Sequence, residues 1–133
     1  MKKILITLFI GMSFIGCSNS DDDSTTQQNN PVTTQYFHPP SWIQGSWKVG
    51  NTSYYKFTND DFIYVMNGTS YKVILTQSAS SGQTAKVDET ITDTDYNFVI
   101  TAGASSGSYK FHKISSTQIQ WINTSNNITL DKE

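Results

Sequence analysis

From Tyr36 onward, apolar and polar residues alternate in short runs that are separated by Gly, Asn and Ser. Alternation with a period of two places the apolar side chains on one face of a β-strand. The alternating apolar positions are Trp47 and Val49; Tyr55 and Phe57; Phe62 and Tyr64; Tyr71, Val73 and Leu75; Phe98 and Ile100; Tyr109 and Phe111; Ile119 and Trp121; and Ile128 and Leu130. These runs predict about eight or nine strands.

The segments between the runs are rich in turn formers. Asn67-Gly68 is the strongest signal, since this dipeptide favours the type I′ turn of a two-residue hairpin. The Gly- and Ser-rich stretch from Gly103 to Gly107 is interpreted as a hairpin loop. Because no helix is long enough for a crossover connection, the sequence predicts an all-β fold, a small antiparallel meander that closes into a barrel or a sandwich.

A short helical turn is predicted before the first strand. Ser41 and Gln44 follow two prolines with the spacing of a capping box, and Gly45 can end the turn.

The amino terminus follows another pattern. Lys2 and Lys3 precede an apolar run, Ile4 to Ile15, that is too short to span the ~30 Å core of a bilayer and is typical of an export signal. The stretch from residue 18 to residue 35 contains Val32 as its only strongly apolar residue, which predicts a disordered, polar and acidic tether.

Phe14-Ile15-Gly16-Cys17 at the end of this run resembles the lipobox of bacterial lipoproteins. The resemblance implies cleavage before Cys17 and lipidation of Cys17, so that the membrane is a partner through a lipid anchor. It divides the chain into a signal peptide (1–16), the lipidated Cys with its tether (17–35) and a folded domain (36–133).

Ser20-Asp21-Asp22-Asp23 resembles the acidic signal that sends lipoproteins to the outer face of the outer membrane. The alternative is a solvated charge run. With the export reading, the expected location is the cell outer membrane, lipid-anchored and facing the outside.

Composition narrows the function classes. The formal net charge is -2 and the chain contains no Arg, so no basic patch can neutralise the phosphates of a nucleic acid. Cys17 is the only Cys, which excludes an intrachain disulfide and a Cys-based zinc site.

Gly45-Ser46-Trp47, after the predicted helical turn, resembles the Gly-x-Trp opening of lipocalins, and Thr94-Asp95-Tyr96 matches the letters of the second lipocalin motif. The resemblance implies a lipocalin-like barrel of about eight strands, with Trp47 facing inward at its base. Two features depart from the family. Without Arg, a Lys has to pack over the Trp47 indole or the contact is missing, and the domain is shorter than a full lipocalin, with no C-terminal helix.

No group of residues predicts catalysis. His112 shares its strand face with Lys110 and Ile114 and is expected to face solvent, while His38 precedes two prolines. Asp60-Asp61 is interpreted as a turn. We therefore expect the domain not to be an enzyme.

Asp93, Asp95 and Asn97 have the opening spacing of a calcium loop. However, Phe98 stands where the loop requires Gly and Ala104 where it requires a bidentate Glu, so an ordinary acidic loop is favoured. No metal and no cofactor are expected.

Seven aromatic residues carry two hypotheses about function. They either line a ligand cavity or form the core: Trp47, Tyr55, Phe57, Tyr71, Phe98, Tyr109 and Trp121. An open interior predicts binding of a small apolar or glycan-like ligand, whereas a solid interior predicts an interaction or accessory module for another envelope protein.

Overall fold

The computed structural model describes residues 33–122 and 125–133, so the predicted signal peptide, Cys17 and most of the predicted tether lie outside the described residues. The helix is α1 (Tyr71–Ser80). The strands are β1 (Gly45–Val49), β2 (Thr52–Phe57), β3 (Phe62–Tyr64), β4 (Thr69–Ser70), β5 (Ala85–Ile91), β6 (Asp95–Ala102), β7 (Ser105–Lys113), β8 (Gln118–Trp121) and β9 (Ile128–Lys132).

The strands form one antiparallel nine-stranded sheet in the order β4-β3-β2-β1-β9-β8-β7-β6-β5. The first and last strands pair in the middle of the sheet, where Trp47 lies opposite Lys132. The sheet is a half-barrel that stays open between its two edges, β4 and β5. The predicted antiparallel β class is confirmed. The predicted closure is wrong, because the chain passes from β4 to β5 through α1 and these edges do not pair.

The strand predicted at Tyr71, Val73 and Leu75 is instead α1. Three alternating apolar residues also fit a helix, because Tyr71 and Leu75 are one helical turn apart. Ser70 favours the helix over a strand, because its Oγ accepts a hydrogen bond from the Val73 N–H at 3.2 Å and caps the helix. Leu75 is therefore buried while Val73 is exposed.

The C-terminal end of α1 is capped by backbone hydrogen bonds from the residues that follow it. The Gln83 N–H donates to the Ser78 carbonyl and the Gly82 N–H donates to the Ala79 carbonyl, each at 2.9 Å. With Gly82 at φ 70, this is a Schellman motif, which only a residue free to adopt positive φ forms easily.

Two predicted hairpin turns differ in length from the expectation. Four residues, not two, connect β3 and β4, because the Asn67 Oδ1 accepts hydrogen bonds from the Thr69 N–H and hydroxyl and holds a wider turn. Between β6 and β7, the pairing of Ala102 with Ser105 leaves a turn of only Gly103 and Ala104. The rest of the predicted Gly103-to-Gly107 loop belongs to β7.

The segment before β1 makes a hydrogen-bonded turn and no capping box. The Ile43 N–H donates to the Pro40 carbonyl at 3.0 Å, and the Gln44 side-chain amide donates to the Pro39 carbonyl at 2.9 Å. The Gln44 side chain is thus bound to Pro39, two residues before the Ser41 that the capping box requires.

One end of the half-barrel, here called the closed end, is formed by residues 36–44 together with the turns at 58–61 and 92–95. Gln35 donates to the Asn59 carbonyl at 3.2 Å, and the Trp42 indole donates to the Thr92 carbonyl at 3.3 Å. Phe37 packs edge-on against Phe98, with ring centres 5.8 Å apart. The opposite end of β6 and β7, at the Gly103-Ala104 turn, is here called the hairpin end.

The core is dominated by aromatic rings. Phe62 stacks on Phe57 at 5.1 Å, and Phe111 meets Phe57 edge-on at 5.2 Å. The largest fully buried side chains are Trp47, Tyr96, Phe37, Phe57, Phe62, Phe98, Phe111, Ile43, Leu75, Ile119 and Leu130.

Candidate functional site

The inward-facing side chains of β6 and β7 become smaller from the closed end to the hairpin end. The inward cross-strand pairs, in this order, are Tyr96 with Phe111, Phe98 with Tyr109, Ile100 with Gly107, and Ala102 with Ser105. The strands have a constant spacing while the side chains shrink, so the space inside the sheet is filled at one end and left open at the other.

A pocket of about 270 Å³ occupies that space. Its strand wall consists of Ile100, Ala102, Ser105, Ser106, Gly107 and Tyr109. Gly inside a strand often marks the close approach of a ligand or another backbone, and here Gly107 is the position that leaves the pocket free beside Ile100.

The opposite wall of the pocket is the helix α1, through Tyr71 and Ile74. Tyr71 stacks on Phe62, with ring centres 5.1 Å apart and the planes inclined by 14°. Its hydroxyl is 2.7 Å from the Tyr109 hydroxyl, so the two walls are joined by a hydrogen bond. The pocket thus has mostly apolar walls and a pair of phenol groups at one side.

Burial raises the pKa of Tyr109 well above its ordinary value, and the hydrogen bond with Tyr71 acts in the same direction. Burial also raises the pKa of the neighbouring Tyr55, with the nearby tyrosine hydroxyls as the next cause. Tyr109 therefore stays neutral at physiological pH and offers the pocket a neutral hydroxyl group.

Asp61 holds the beginning of α1 in place. Its carboxylate is buried and accepts hydrogen bonds from the Lys72 N–H at 2.9 Å and from the Ser70 hydroxyl at 2.6 Å. The adjacent Asp60 pairs with the Lys72 ammonium, and this hydrogen bond lowers the pKa of Asp60. The sequence interpretation as a turn missed this role, since nothing in the residues next to Asp61 shows that a helix begins ten residues later.

The seven candidate aromatic residues separate into two groups. Trp47, Tyr55, Phe57 and Phe98 are buried in the core, whereas Tyr71, Tyr109 and Trp121 are only partly buried. Of the seven, Tyr71 and Tyr109 line the pocket.

Trp47 is held by two contacts. Its indole N–H donates to the Ile43 carbonyl at 2.6 Å, and the Lys132 ammonium lies 5.3 Å from the ring centre. Gly45 has φ 123, a backbone conformation that residues with a Cβ rarely adopt, so glycine is favoured at this position.

A bulge near Trp47 gathers further aromatic residues. The register between β1 and β2 shifts because Trp47 pairs with Tyr55 while Lys48 pairs with Ser53. The extra residue, Tyr54, packs against Tyr64 at 5.3 Å and Trp121 at 6.1 Å. Bulges redirect side chains in this way, and strict alternation would have pointed Tyr54 away from Tyr55.

Each histidine has a carboxylate partner. The His112 Nδ1 is 2.8 Å from the Asp95 Oδ1 on the outer face of β6 and β7, where the sequence predicted a solvent-facing His112 without naming a partner. The bond to His112 lowers the pKa of Asp95. His38 contacts Glu89 at 2.8 Å at the closed end. Neither pair lines the pocket.

The residues with calcium-like spacing do not form a metal site. Asp95 of the calcium-like spacing is engaged with His112 and Thr94. Across residues 33–122 and 125–133, no group of three or more His, Cys, Asp or Glu side chains is placed to hold a metal ion. In the same part of the chain, no helix has the length and apolar character needed to cross a bilayer.

The chain was also compared with protein-family models, curated proteins and solved structures, and none of them matches it. The function is therefore inferred from the geometry of the site.

Proposed function

We propose that this domain binds a small ligand in the pocket between α1 and the hairpin end of β6 and β7. The observation that carries the proposal is the tapering series of inward side chains, which leaves a mostly apolar pocket with a Tyr71–Tyr109 hydroxyl pair at one side. Small-molecule sites usually combine apolar walls with a few polar groups that fix orientation.

The packing of the aromatic core supports this location over the centre of the half-barrel. Rings of Phe57, Phe62 and Phe111 lie within 5.1 to 6.2 Å of one another and occupy the centre. A ligand there would have to displace close-packed side chains, whereas the hairpin end is already open.

The fold proposal is a shortened lipocalin-like half-barrel. It is supported by the contact between Lys132 and Trp47, since a Lys over the indole is the arrangement that the absence of Arg requires. The pairing of β1 with β9, in which Trp47 lies opposite Lys132, brings these two residues together.

The cellular proposal is a lipoprotein of the outer membrane, anchored through Cys17 and facing the outside. It depends on the lipobox-like end of the apolar run and on the acidic residues 20–23. Cys17→Ala should release the protein from the membrane fraction, and an unmodified Cys17 in the mass spectrum of the wild-type protein would contradict the proposal.

An interaction module is the second candidate, and the aromatic rim of Tyr54, Tyr64 and Trp121 favours it. Next to this rim, Met66 is 57% exposed and its sulfur accepts a hydrogen bond from the Tyr64 hydroxyl at 3.3 Å. Aromatic residues and Met are enriched in protein interfaces. The rim and the pocket involve different residues, so an experiment can separate the two functions.

The test is NMR chemical-shift mapping on the full chain in detergent with a library of small ring compounds. Ligand binding predicts changes at the amides of Ile74, Ser105 and Gly107. Ile74→Phe should fill the pocket and abolish the changes, whereas Val73→Phe, on the exposed face of the same helix, should preserve them. Changes confined to the rim, or changes that persist in Ile74→Phe, would contradict the proposal.

A further inference from the structure

The pocket presents hydroxyl groups and no charge. None of the residues that line it is Asp, Glu, Lys, Arg or His, and the polar side chains at its inward-facing positions are Tyr71, Tyr109 and Ser105. A hydroxyl can both donate and accept a hydrogen bond, so such a lining fits a ligand that itself carries hydroxyl groups. A charged ligand would lose its hydration without finding an opposite charge.

The pocket has room for about one ring of a ligand. Its volume of about 270 Å³ lies just under the lower end, ~300 Å³, of the range for small-molecule sites. Two phenol rings, Tyr71 and Tyr109, face this space at an interplanar angle of 67°, and each has one face already covered by a phenylalanine. Their apolar faces and polar tips suit a ring with C–H groups on its face and hydroxyls at its edge.

The absence of a side chain at Gly107 leaves the space that this ring would occupy. Gly107 is the only glycine among the lining residues, and its backbone is not in the positive-φ region. A Cβ added there would meet the Tyr109 Cε2 at 3.6 Å, an ordinary contact distance. A larger side chain is therefore compatible with the strand and would project into the pocket.

From this lining we infer that the pocket takes one uncharged ring with hydroxyl groups, as in a neutral monosaccharide or the terminal residue of a neutral glycan, and that Gly107 is the residue that admits it. The inference rests on the proposed function and adds the chemical class of its ligand.

The experiment compares sugars that differ mainly in charge, with the full chain in a detergent that has no sugar head group. Glucose is compared with glucuronate, and N-acetylglucosamine with glucosamine, by titration of the amide shifts of Ser105 and Gly107. The neutral member of at least one pair should bind, and its charged counterpart should bind at least about tenfold more weakly. Equal binding of the two members of a pair would overturn the inference.

Two variants identify the site. Gly107→Val should weaken binding of the neutral sugar by at least about tenfold, because its methyl groups occupy the ring position. Ser108→Val is the matched control: it adds a comparable side chain to the next residue of β7, which is exposed, and should leave binding unchanged.

The outcomes separate this inference from the proposed function. If charged or purely apolar rings bind and lose binding in Gly107→Val, while no neutral sugar binds at its highest soluble concentration, the inference is wrong and the ligand pocket remains. If no compound shows binding that depends on Gly107 or Ile74, both are wrong.

Discussion

The closed end and the hairpin end of this half-barrel use the same two strands in opposite ways. At the closed end, β6 and β7 contribute Tyr96 and Phe111, both fully buried, and Tyr96 donates a 2.5 Å hydrogen bond to Glu89. At the hairpin end, the same strands contribute Ala102 and Ser105 and leave a pocket. Backbone pairing is continuous through both regions, so side-chain volume alone distinguishes a core from a binding site.

The difference between the two ends shows how a domain of this size can have both a stable core and space for a ligand. Filled positions stabilise the fold by burying apolar surface, about 25 cal/mol for each Å². A position with a small side chain contributes less of this stabilisation but leaves space for a ligand. Adding and removing volume at the two ends should therefore have opposite effects on stability.

The largest effect is expected at the closed end. Trp47→Ala removes a fully buried indole together with its contacts to Ile43 and Lys132. The cost should be about 3–5 kcal/mol, a large part of the ~5–15 kcal/mol that stabilises a domain. Denaturant titration followed by circular dichroism measures it, and a midpoint equal to that of the wild-type protein would show that Trp47 does not support the core.

A smaller loss is expected where α1 is attached. Asp61→Ala removes the acceptor of the Lys72 N–H and the Ser70 hydroxyl and should cost about 1–3 kcal/mol. Asp60→Ala is the control, since its partly exposed pair with Lys72 is screened by solvent and should contribute less than the buried acceptor. Equal losses in the same titration would mean that the buried cap does not hold the helix.

At the hairpin end, added volume should stabilise the protein. Gly107→Val removes a flexible glycine from a strand interior and fills apolar space, so it should raise the free energy of unfolding by about 0.5–1 kcal/mol. Gly103→Val is the contrasting variant and should destabilise, because φ is 62 there and a Cβ would lie 3.0 Å from the Gln83 Oε1. Thermal melts of both variants measure the comparison, and a destabilised Gly107→Val would argue that the pocket is not free space.

The smallest effect is expected on the outer face. His112→Ala should change stability by no more than about 0.5 kcal/mol, because its pair with Asp95 is partly exposed and screened by solvent. The bond to His112 lowers the pKa of Asp95 below its ordinary 3.8. The stabilisation by ionised Asp95 is thus present above pH 3.8 and lost as the pH falls through the lowered pKa. The difference in the free energy of unfolding between wild type and Asp95→Asn should therefore shrink in acid. A difference that grows in acid would reverse the assignment.

The sequence predicts much of the packed region and little of the open one. Alternation identifies most strands, because Phe57, Phe98 and Phe111 are buried on one face of their strands while the other face is exposed to solvent. Alternation misses β5, whose residues are largely polar. The inward-facing Glu89 of β5 is hydrogen-bonded by Tyr96 and by His38, and His38 is distant along the chain. Such a partner, 51 residues away along the chain, has no local signal.

The pocket depends on long-range geometry in the same way. Tyr71 and Tyr109 were candidates by residue type, but their pairing requires a helix at Tyr71, which the alternation of Val73 and Leu75 concealed. Gly107 has meaning only once its cross-strand partner, Ile100, is known. The pocket exists because small side chains leave space, so no residue type in the sequence marks it. The decrease in side-chain size along the strands becomes visible only when the residues of β6 and β7 are paired in their register.

A crystal structure of the protein under xenon pressure tests the central claim most directly, since xenon enters apolar cavities that are not already filled. The account predicts a xenon atom beside Gly107, between Ile74 and Ile100, and none among the rings of Trp47, Phe57 and Phe111. Xenon bound within the aromatic rings, with none at Gly107, would show that the aromatic core is open and the hairpin end is filled, and it would contradict the proposed location of the ligand site.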